Sequence, residues 1–452
     1  MKKSKLKLST THIILFSFFA AVLIGAVLLM LPVSSAKGEW TPFVDALFTS
    51  TTATCVTGLV VAPTFSAWST FGHIVILFLI QIGGLGVITV VSIIAMMFHK
   101  KMGLSDRLLL QDAFNLNTLS GLSQFVKKVV LGTFLVEGMG ALLYMIVFVP
   151  EFGLKGIWIS VFTAISAFCN AGIDIIAENS LCNYVHNPIV NLTTCLLIFF
   201  SGIGFIVWWD VARVLKLRKK RKIKVLKSLT LHSKIAIATT LVLIFSGAIF
   251  IFLFEYNNPQ TMKDFTIYQK IQASFFQSVT TRTAGFATIP QENFSNGSAL
   301  VSILLMFIGG SPVGTAGGIK TVTIAVVVAA AIAAIKNKND VTMFNRTLSK
   351  EAISKAVAVV CTSFFIMFMS TLLLSAVTDA SVIDILYETV SATATVGLTR
   401  NLTTSLNTLG KIIIIATMYF GRVGPISLAV ALNFKKQNPN IIKNPVEEIS
   451  VG

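Results

Sequence analysis

The chain has 452 residues, of which 54% are Ala, Val, Ile, Leu, Met, Phe, Trp, Tyr or Cys and only 12% are charged. Soluble proteins carry about 25% charged residues, so too little polar surface remains to wet a globule, and the composition marks an integral membrane protein. It excludes disorder, collagen-like repeats and a disulfide-stapled secreted fold; the net charge of +17 reads as basic cytoplasmic loops, with no nucleic-acid partner expected.

Apolar runs of about 20 residues cross a hydrocarbon core of ~30 Å. They predict eight transmembrane helices, at 11–31, 71–98, 126–149, 187–212, 235–254, 299–335 (interrupted), 354–376 and 410–434. The first follows Lys2, Lys3, Lys5 and Lys7 and precedes VSSA at 33–36, as a signal peptide would. Its apolar stretch exceeds the roughly 7–15 residues of a signal core, and it is read as a span. Lys and Arg gather in the N-terminal segment and in the loops 99–128, 213–234 and 336–355, which alternate with connections poor in positive charge. Both termini are therefore expected in the cytoplasm, in a multi-pass protein of the cell membrane. The densest basic run, 216–222, is explained by that rule alone, or by contact with membrane lipid or an acidic partner protein.

Between the spans lie four half-length apolar segments, 41–54, 156–168, 268–280 and 382–393, too short to cross. Each leads into a glycine motif: TCVTGLVV (54–61), FCNAGIDI (168–175), TRTAGFAT (281–288) and TATVGLTR (393–400). Their glycines, Gly58, Gly172, Gly285 and Gly397, are separated by 114, 113 and 112 residues. A second series, GGLG (83–86), SGIG (201–204), GGSP (309–312) and GRVG (421–424), recurs in the following spans at a similar period. Two series at one period define an internal repeat. The expected fold is an all-α polytopic membrane protein of four M1–P-loop–M2 units around a pseudo-fourfold pore, with four re-entrant pore helices. The units are 1–100, 101–222, 223–345 and 346–434, followed by a polar tail, 435–452.

Extended backbone at membrane depth is tolerated only where protein or a water-filled cavity satisfies it. Four such loops on one axis would aim their carbonyls at a common line. The candidate ion-binding residues are Val56, Thr57 and Gly58; Asn170, Ala171 and Gly172; Thr283, Ala284 and Gly285; and Thr395, Val396 and Gly397. No ring of Asp or Glu occupies these positions, so coordination falls to main-chain oxygens, as suits K+. Calcium and magnesium favour carboxylates. Asp174, two residues past Gly172, either draws cations to the outer mouth or caps a turn. Five Cys without a CxxC pair and five scattered His give no metal cluster, and no bound cofactor is expected.

Residues 309–318 read GGSPVGTAGG in the middle of the seventh span. Each interior Gly costs ~1 kcal/mol and Pro ~3 kcal/mol in a helix, so this stretch is either a loop across the pore or a kink required for packing. The candidate gate residues are Gly309, Gly310, Ser311, Pro312, Gly314, Thr315, Gly317, Gly318 and Lys320. GTAGGIKT (314–321) nearly spells a phosphate loop, but Ile319 separates Gly318 from Lys320 and no soluble strand precedes it. Arg422, at the matching place in the fourth unit, joins the gate set. A mid-membrane arginine must be paired or hydrated, so it is expected to touch the 309–318 loop, with a plain helix–helix packing bond as the alternative. Arg282 is expected to support its loop from behind, and Glu137, Asp384 and Glu388 to be structural partners of such charges. No GxSxG or HExxH motif supports an enzyme.

These motifs, together with LLMLP (28–32), KKMGLSDR (100–107), MFIGG (306–310) and YFGRVGPI (419–426), resemble the membrane subunits of bacterial Ktr-type potassium uptake systems in the Trk/Ktr/HKT superfamily. The resemblance implies potassium uptake through a pore with one glycine per filter loop, and a homodimer with the C-terminal tail near its interface. It also implies a cytosolic ring of nucleotide-binding RCK-type subunits that gates the pore. Docking candidates for that ring are 213–234, 309–318 and 336–350. All four glycines are present, as in potassium-selective members; a sodium-permeable or sodium-coupled version on the same scaffold is the alternative.

Overall fold

The computed structural model describes residues 10–87, 89–90, 92, 103, 108–111, 122–221 and 225–424. The tail 435–452, most of KKMGLSDR and the end of the last expected span lie outside the described residues.

The first unit comprises α1 (Thr10–Met30), α2 (Phe43–Cys55) and α3 (Thr70–Leu85). The second comprises α4 (Leu122–Phe152), α5 (Lys155–Cys169), α6 (Pro188–Ile203) and α7 (Phe205–Arg221). The third comprises α8 (Leu231–Glu255), α9 (Ile267–Thr280), α10 (Asn296–Phe307) and α11 (Thr321–Ile335). The fourth comprises α12 (Lys350–Ser375), α13 (Val382–Ala394) and α14 (Thr408–Val423). The β content among the described residues is one hairpin, Thr342–Met343 with Arg346–Thr347, whose turn residues Phe344 and Asn345 both have positive φ.

The opening helices α1, α4, α8 and α12 are long and apolar enough to cross a membrane. Their outer faces leave large apolar side chains exposed, among them Phe16, Leu131, Val242 and Phe365. That exposure belongs against lipid. The short helices α2, α5, α9 and α13 hold 13 to 15 residues and are buried inside, where Thr51, Thr52, Ser166, Ser278 and Ser391 are inaccessible. Hydroxyl side chains are thus gathered at the centre among apolar ones, and large apolar side chains cover the outside of the long helices.

The closing helices of the first, second and fourth units correct the expectation of continuous spans, and that of the third is interrupted as read from its sequence. Helices α3, α6, α10 and α14 begin alike, on the N-caps Ser69, Asn187, Ser295 and Asn407, each accepting from backbone N–H groups of its first turn. They also end alike, halfway. Gly86, Gly204 and Gly424 stop their helices at φ 84, 92 and 94°, with ψ 131, 139 and 137°. This conformation is open only to glycine. At Gly204 the chain turns by 92° between α6 and α7. In the third unit the break widens to residues 308–320, so the expected interruption is a loop rather than a kink.

Candidate functional site

The four glycine motifs meet at the centre of the molecule. Helices α2, α5 and α13 end on Val56, Asn170 and Thr395, all left-handed at φ 55, 59 and 52°. Thr283 holds the same place in the third motif at φ 72°. A β-branched residue with positive φ is a genuine outlier, and three of these four are β-branched. Local hydrogen bonds hold the strain. The N–H groups of Thr57, Ala171 and Val396 each donate to a carbonyl one helical turn back, on Thr52, Ser166 and Ser391, at 2.8 Å. The hydroxyls of those same three residues accept from Gly58, Ile173 and Gly397 at 2.9, 3.1 and 3.0 Å. In the third motif the Thr280 hydroxyl donates to the Phe286 carbonyl at 2.7 Å.

The glycines close a ring. A Cβ on Gly58 would collide with the carbonyl oxygen of Ala171, and one on Gly172 with that of Ala284. On Gly285 it would meet the carbonyl of Val396, and on Gly397 that of Thr57. Every such approach is under 3.0 Å, and each runs from one unit to the next until the fourth returns to the first. Only the absent side chain lets the four loops pack this closely. The C-terminal, partly negative ends of the short helices all point at this ring.

Beneath the ring lies the 308–320 loop. Its two ends are zipped together: Ile319 N–H donates to Phe307 at 3.2 Å, Thr321 N–H to Gly310 at 2.9 Å, and the hydroxyls of Ser311 and Thr321 are 2.8 Å apart. It leans on the break in the second unit, with Ser311 N–H donating to Gly202 at 2.7 Å and Phe205 N–H to Val313 at 2.9 Å. It also touches the ring itself. The Thr315 hydroxyl donates to the Phe168 carbonyl and accepts from Asn170 Nδ2, both at 3.0 Å, while Gly317 N–H donates to the Thr283 hydroxyl at 3.1 Å. Gly317 packs so tightly on Thr395 that a Cβ there would strike its hydroxyl. Residues from all three neighbouring motifs therefore hold the loop.

Arg422 reaches this loop from α14. Its guanidinium is half-buried and donates to the Thr315 carbonyl at 2.7 Å and to the Gly83 carbonyl of α3 at 2.6 Å. The expected contact with the 309–318 stretch is present, and the same side chain also ties in the first unit. Lys320 folds back onto the loop, donating to Ala316 at 2.5 Å. A cavity of about 390 Å³ adjoins the loop, lined by Gly83–Val87, Pro312–Gly314, Ala316–Lys320 and Gly421–Gly424 among others. Arg422 and Lys320 are the only charged side chains among the described residues that line it. Arg282 stands behind its motif as expected, donating to the carbonyls of Gly309 at 3.1 Å and Thr240 at 3.4 Å.

The acidic residues do not pair with Arg282 or Arg422, and this corrects the sequence reading. Asp384 holds Arg400 at 2.7 Å, and Arg400 also donates to carbonyls of Gln291, Glu292 and Phe294 in the third unit. Glu388 accepts from the hydroxyls of Thr399 and Thr403. Glu137 accepts from Gln81 Nε2 at 3.3 Å and from the Cys169 thiol at 3.8 Å. Asp174 is half-buried at the outer end of the second loop and accepts from Ile176 N–H at 3.3 Å. Burial pushes its carboxyl up to about 6, partly offset by that N–H, the Ser180 hydroxyl and the Ala177 N–H. Sequence reading missed the supporting hydroxyls of Thr52, Ser166 and Ser391. Their signal was present, since each sits six residues before its glycine.

The family model for TrkH, a cation transport protein, matches residues 2–443. The chain belongs to this family of cation transport proteins. It is 41% identical to the Ktr system potassium uptake protein B of Bacillus subtilis, covering 98% of this chain and 96% of that one. Identity is 36% to the Vibrio alginolyticus protein of the same name, over 100% of this chain and 97% of its relative. It is 35% to the potassium/sodium uptake protein NtpJ of Enterococcus hirae, over 100% and 99%. The crystal structure of the potassium transporter TrkH from Vibrio parahaemolyticus shares the fold, with a TM-score of 0.75 at 15% identity, covering 96% of this chain and 87% of that one. This TrkH-family chain is a multi-pass membrane protein of the Trk/Ktr superfamily.

Proposed function

We propose that the chain takes up potassium across the cell membrane through a selectivity filter of main-chain carbonyls. The coordinating oxygens belong to Thr57, Ala171, Ala284 and Val396 and to the left-handed residues before them, Val56, Asn170, Thr283 and Thr395. The observation that carries this reading is the closed order of glycine-to-carbonyl approaches through Gly58, Gly172, Gly285 and Gly397. A ring of carbonyl dipoles without carboxylates suits a large, weakly hydrated monovalent cation.

The 309–318 loop is the gate in its closed position, latched by Arg422 and Lys320, whose charges add a barrier to cations directly below the filter. With no nucleotide fingerprint in the chain, regulation comes from a separate cytosolic ring of nucleotide-binding subunits, and the chain works as a homodimer with both termini in the cytoplasm. A sodium-permeable version is the second reading, favoured by the name of the Enterococcus relative.

Flux of potassium, rubidium and sodium into liposomes holding this chain, alone and with its regulatory subunit, separates the readings. Potassium and rubidium flux far above sodium, with discrimination reduced in Gly285→Ser, is the expected result. Equal or greater sodium flux selects the second reading. No flux of any ion under either condition overturns the pore assignment.

A further inference from the structure

The turn at Gly204 makes α7 an arm fixed to the gate. At the elbow, Phe205 N–H donates to the Val313 carbonyl at 2.9 Å, and a Cβ on Gly204 would strike the Pro312 carbonyl. Trp208 packs on Phe168, the residue that precedes Cys169 and Asn170, with ring centroids 6.1 Å apart. Val207 shares a core with Val322 at the start of α11, just past the gate loop. α7 therefore bears on the middle of the 308–320 loop at Pro312 and Val313 and, through Val322, on the first turn of the helix that follows it.

The far end of the arm faces outward and is basic. Since α7 lies at 92° to α6, the chain leaves the direction of that helix at Gly204. Arg213, Lys216 and Arg218 are exposed along it, interleaved with the exposed Leu215 and Leu217. Lys127 and Lys128 are exposed at the start of α4, and Lys128 Nζ lies 5.6 Å from the centre of the Trp209 ring. The one acid on the arm, Asp210, is already taken: it accepts from Arg213, from the Thr230 N–H at 2.9 Å and from the Thr230 hydroxyl at 2.8 Å. Basic heads, apolar stems and paired tryptophans on a helix set crosswise to α6 fit the boundary between headgroups and acyl chains.

We propose that α7 binds anionic phospholipid headgroups of the cytoplasmic leaflet and passes its position through the Gly204 elbow to the gate. The inference rests on the pore reading for its gating half; the lipid site stands on its own geometry.

Tryptophan quenching reads the site without flux, in vesicles doped with brominated phosphatidylglycerol or brominated phosphatidylcholine. The wild type is expected to be quenched more by the anionic lipid, with rubidium flux varying with its mole fraction. A Lys or Arg near an anionic surface contributes ~1 kcal/mol, about fivefold in affinity. The double variant Lys216→Gln/Arg218→Gln should therefore lose the preference, whereas Lys336→Gln/Lys338→Gln, which removes equal exposed charge elsewhere, should keep it. Equal quenching by both lipids in the wild type, or an equal preference in the two double variants, overturns the proposal. Loss of regulatory-subunit activation in the α7 variant without any lipid preference assigns the face to a protein and also overturns it. A lipid preference without flux in any lipid leaves the site standing and removes the pore reading instead.

Discussion

Replacing Arg422 by glutamine removes two charge-assisted hydrogen bonds, at 2.7 Å to Thr315 and 2.6 Å to Gly83. Each such bond contributes ~1.5–3 kcal/mol net. Only the Thr315 bond ends on the gate loop, so only that one enters the balance between closed and open loop. Its loss should shift that balance by roughly 10- to 150-fold towards open. Removing one of the two cations lining the cavity below the ring acts in the same direction. The assay is initial rubidium flux into liposomes, normalised to folded protein by size-exclusion chromatography. Arg422→Lys keeps the charge but cannot reach two carbonyls with a planar fork, so its flux should fall between wild type and Arg422→Gln. Wild-type flux in Arg422→Gln, with the protein monodisperse, would refute the latch.

Gly204→Ala forces a Cβ into the Pro312 carbonyl at a φ of 92°, and should cost ~1–2 kcal/mol for the backbone alone. A lowered melting temperature together with altered rubidium flux is expected; an unchanged melting temperature would contradict the elbow geometry. Glu137→Gln preserves an acceptor for Gln81 and should melt close to wild type in detergent. Glu137→Leu strands the Gln81 amide at a cost of ~1–3 kcal/mol, and equal stability of both variants would show that this tie contributes nothing. With its carboxyl raised to about 6, Asp174 loses its negative charge as external pH falls through that value. Cation flux at low potassium should drop over the same window and flatten in Asp174→Asn; a pH profile identical in the variant would remove Asp174 from the mouth.

The repeat was legible because four close approaches leave no room for a side chain, and a residue type with no substitute recurs at a fixed period. The short helices were legible from length, and their observed bounds lie within two residues of those read from the sequence. The interruption at 309–318 was legible from its glycines and proline, but the stops at Gly86, Gly204 and Gly424 in the other closing spans were not. Hydropathy records whether residues suit lipid but not which way the chain points, so the apolar run through SGIG into VWW read as one span despite the turn at Gly204. The partners of Glu137, Asp384 and Glu388 were missed for a related reason. Hydroxyls, an amide and a thiol satisfy Glu137 and Glu388, and only Asp384 meets a cation, Arg400, 16 residues away. Nothing in the sequence ranks such partners above Arg282 or Arg422.

The closure of the ring also sets the order in which the protein can become functional as it is made. Lys411 of α14 donates to Asp45 in the first turn of α2 at 2.6 Å across 366 residues, and Gly397 approaches Thr57 at the other end of that helix. Until α13 and α14 emerge from the ribosome, the first glycine loop has no neighbour on one side, and its strained left-handed Val56 is held from within its own unit, by α2 and by Gly83 of α3. The first unit must therefore wait in the bilayer, half-assembled, through the synthesis of the other three. A nascent chain stopped anywhere before the fourth motif has at most three quarters of the ring and no closure, which makes the last unit to insert the one that completes the first.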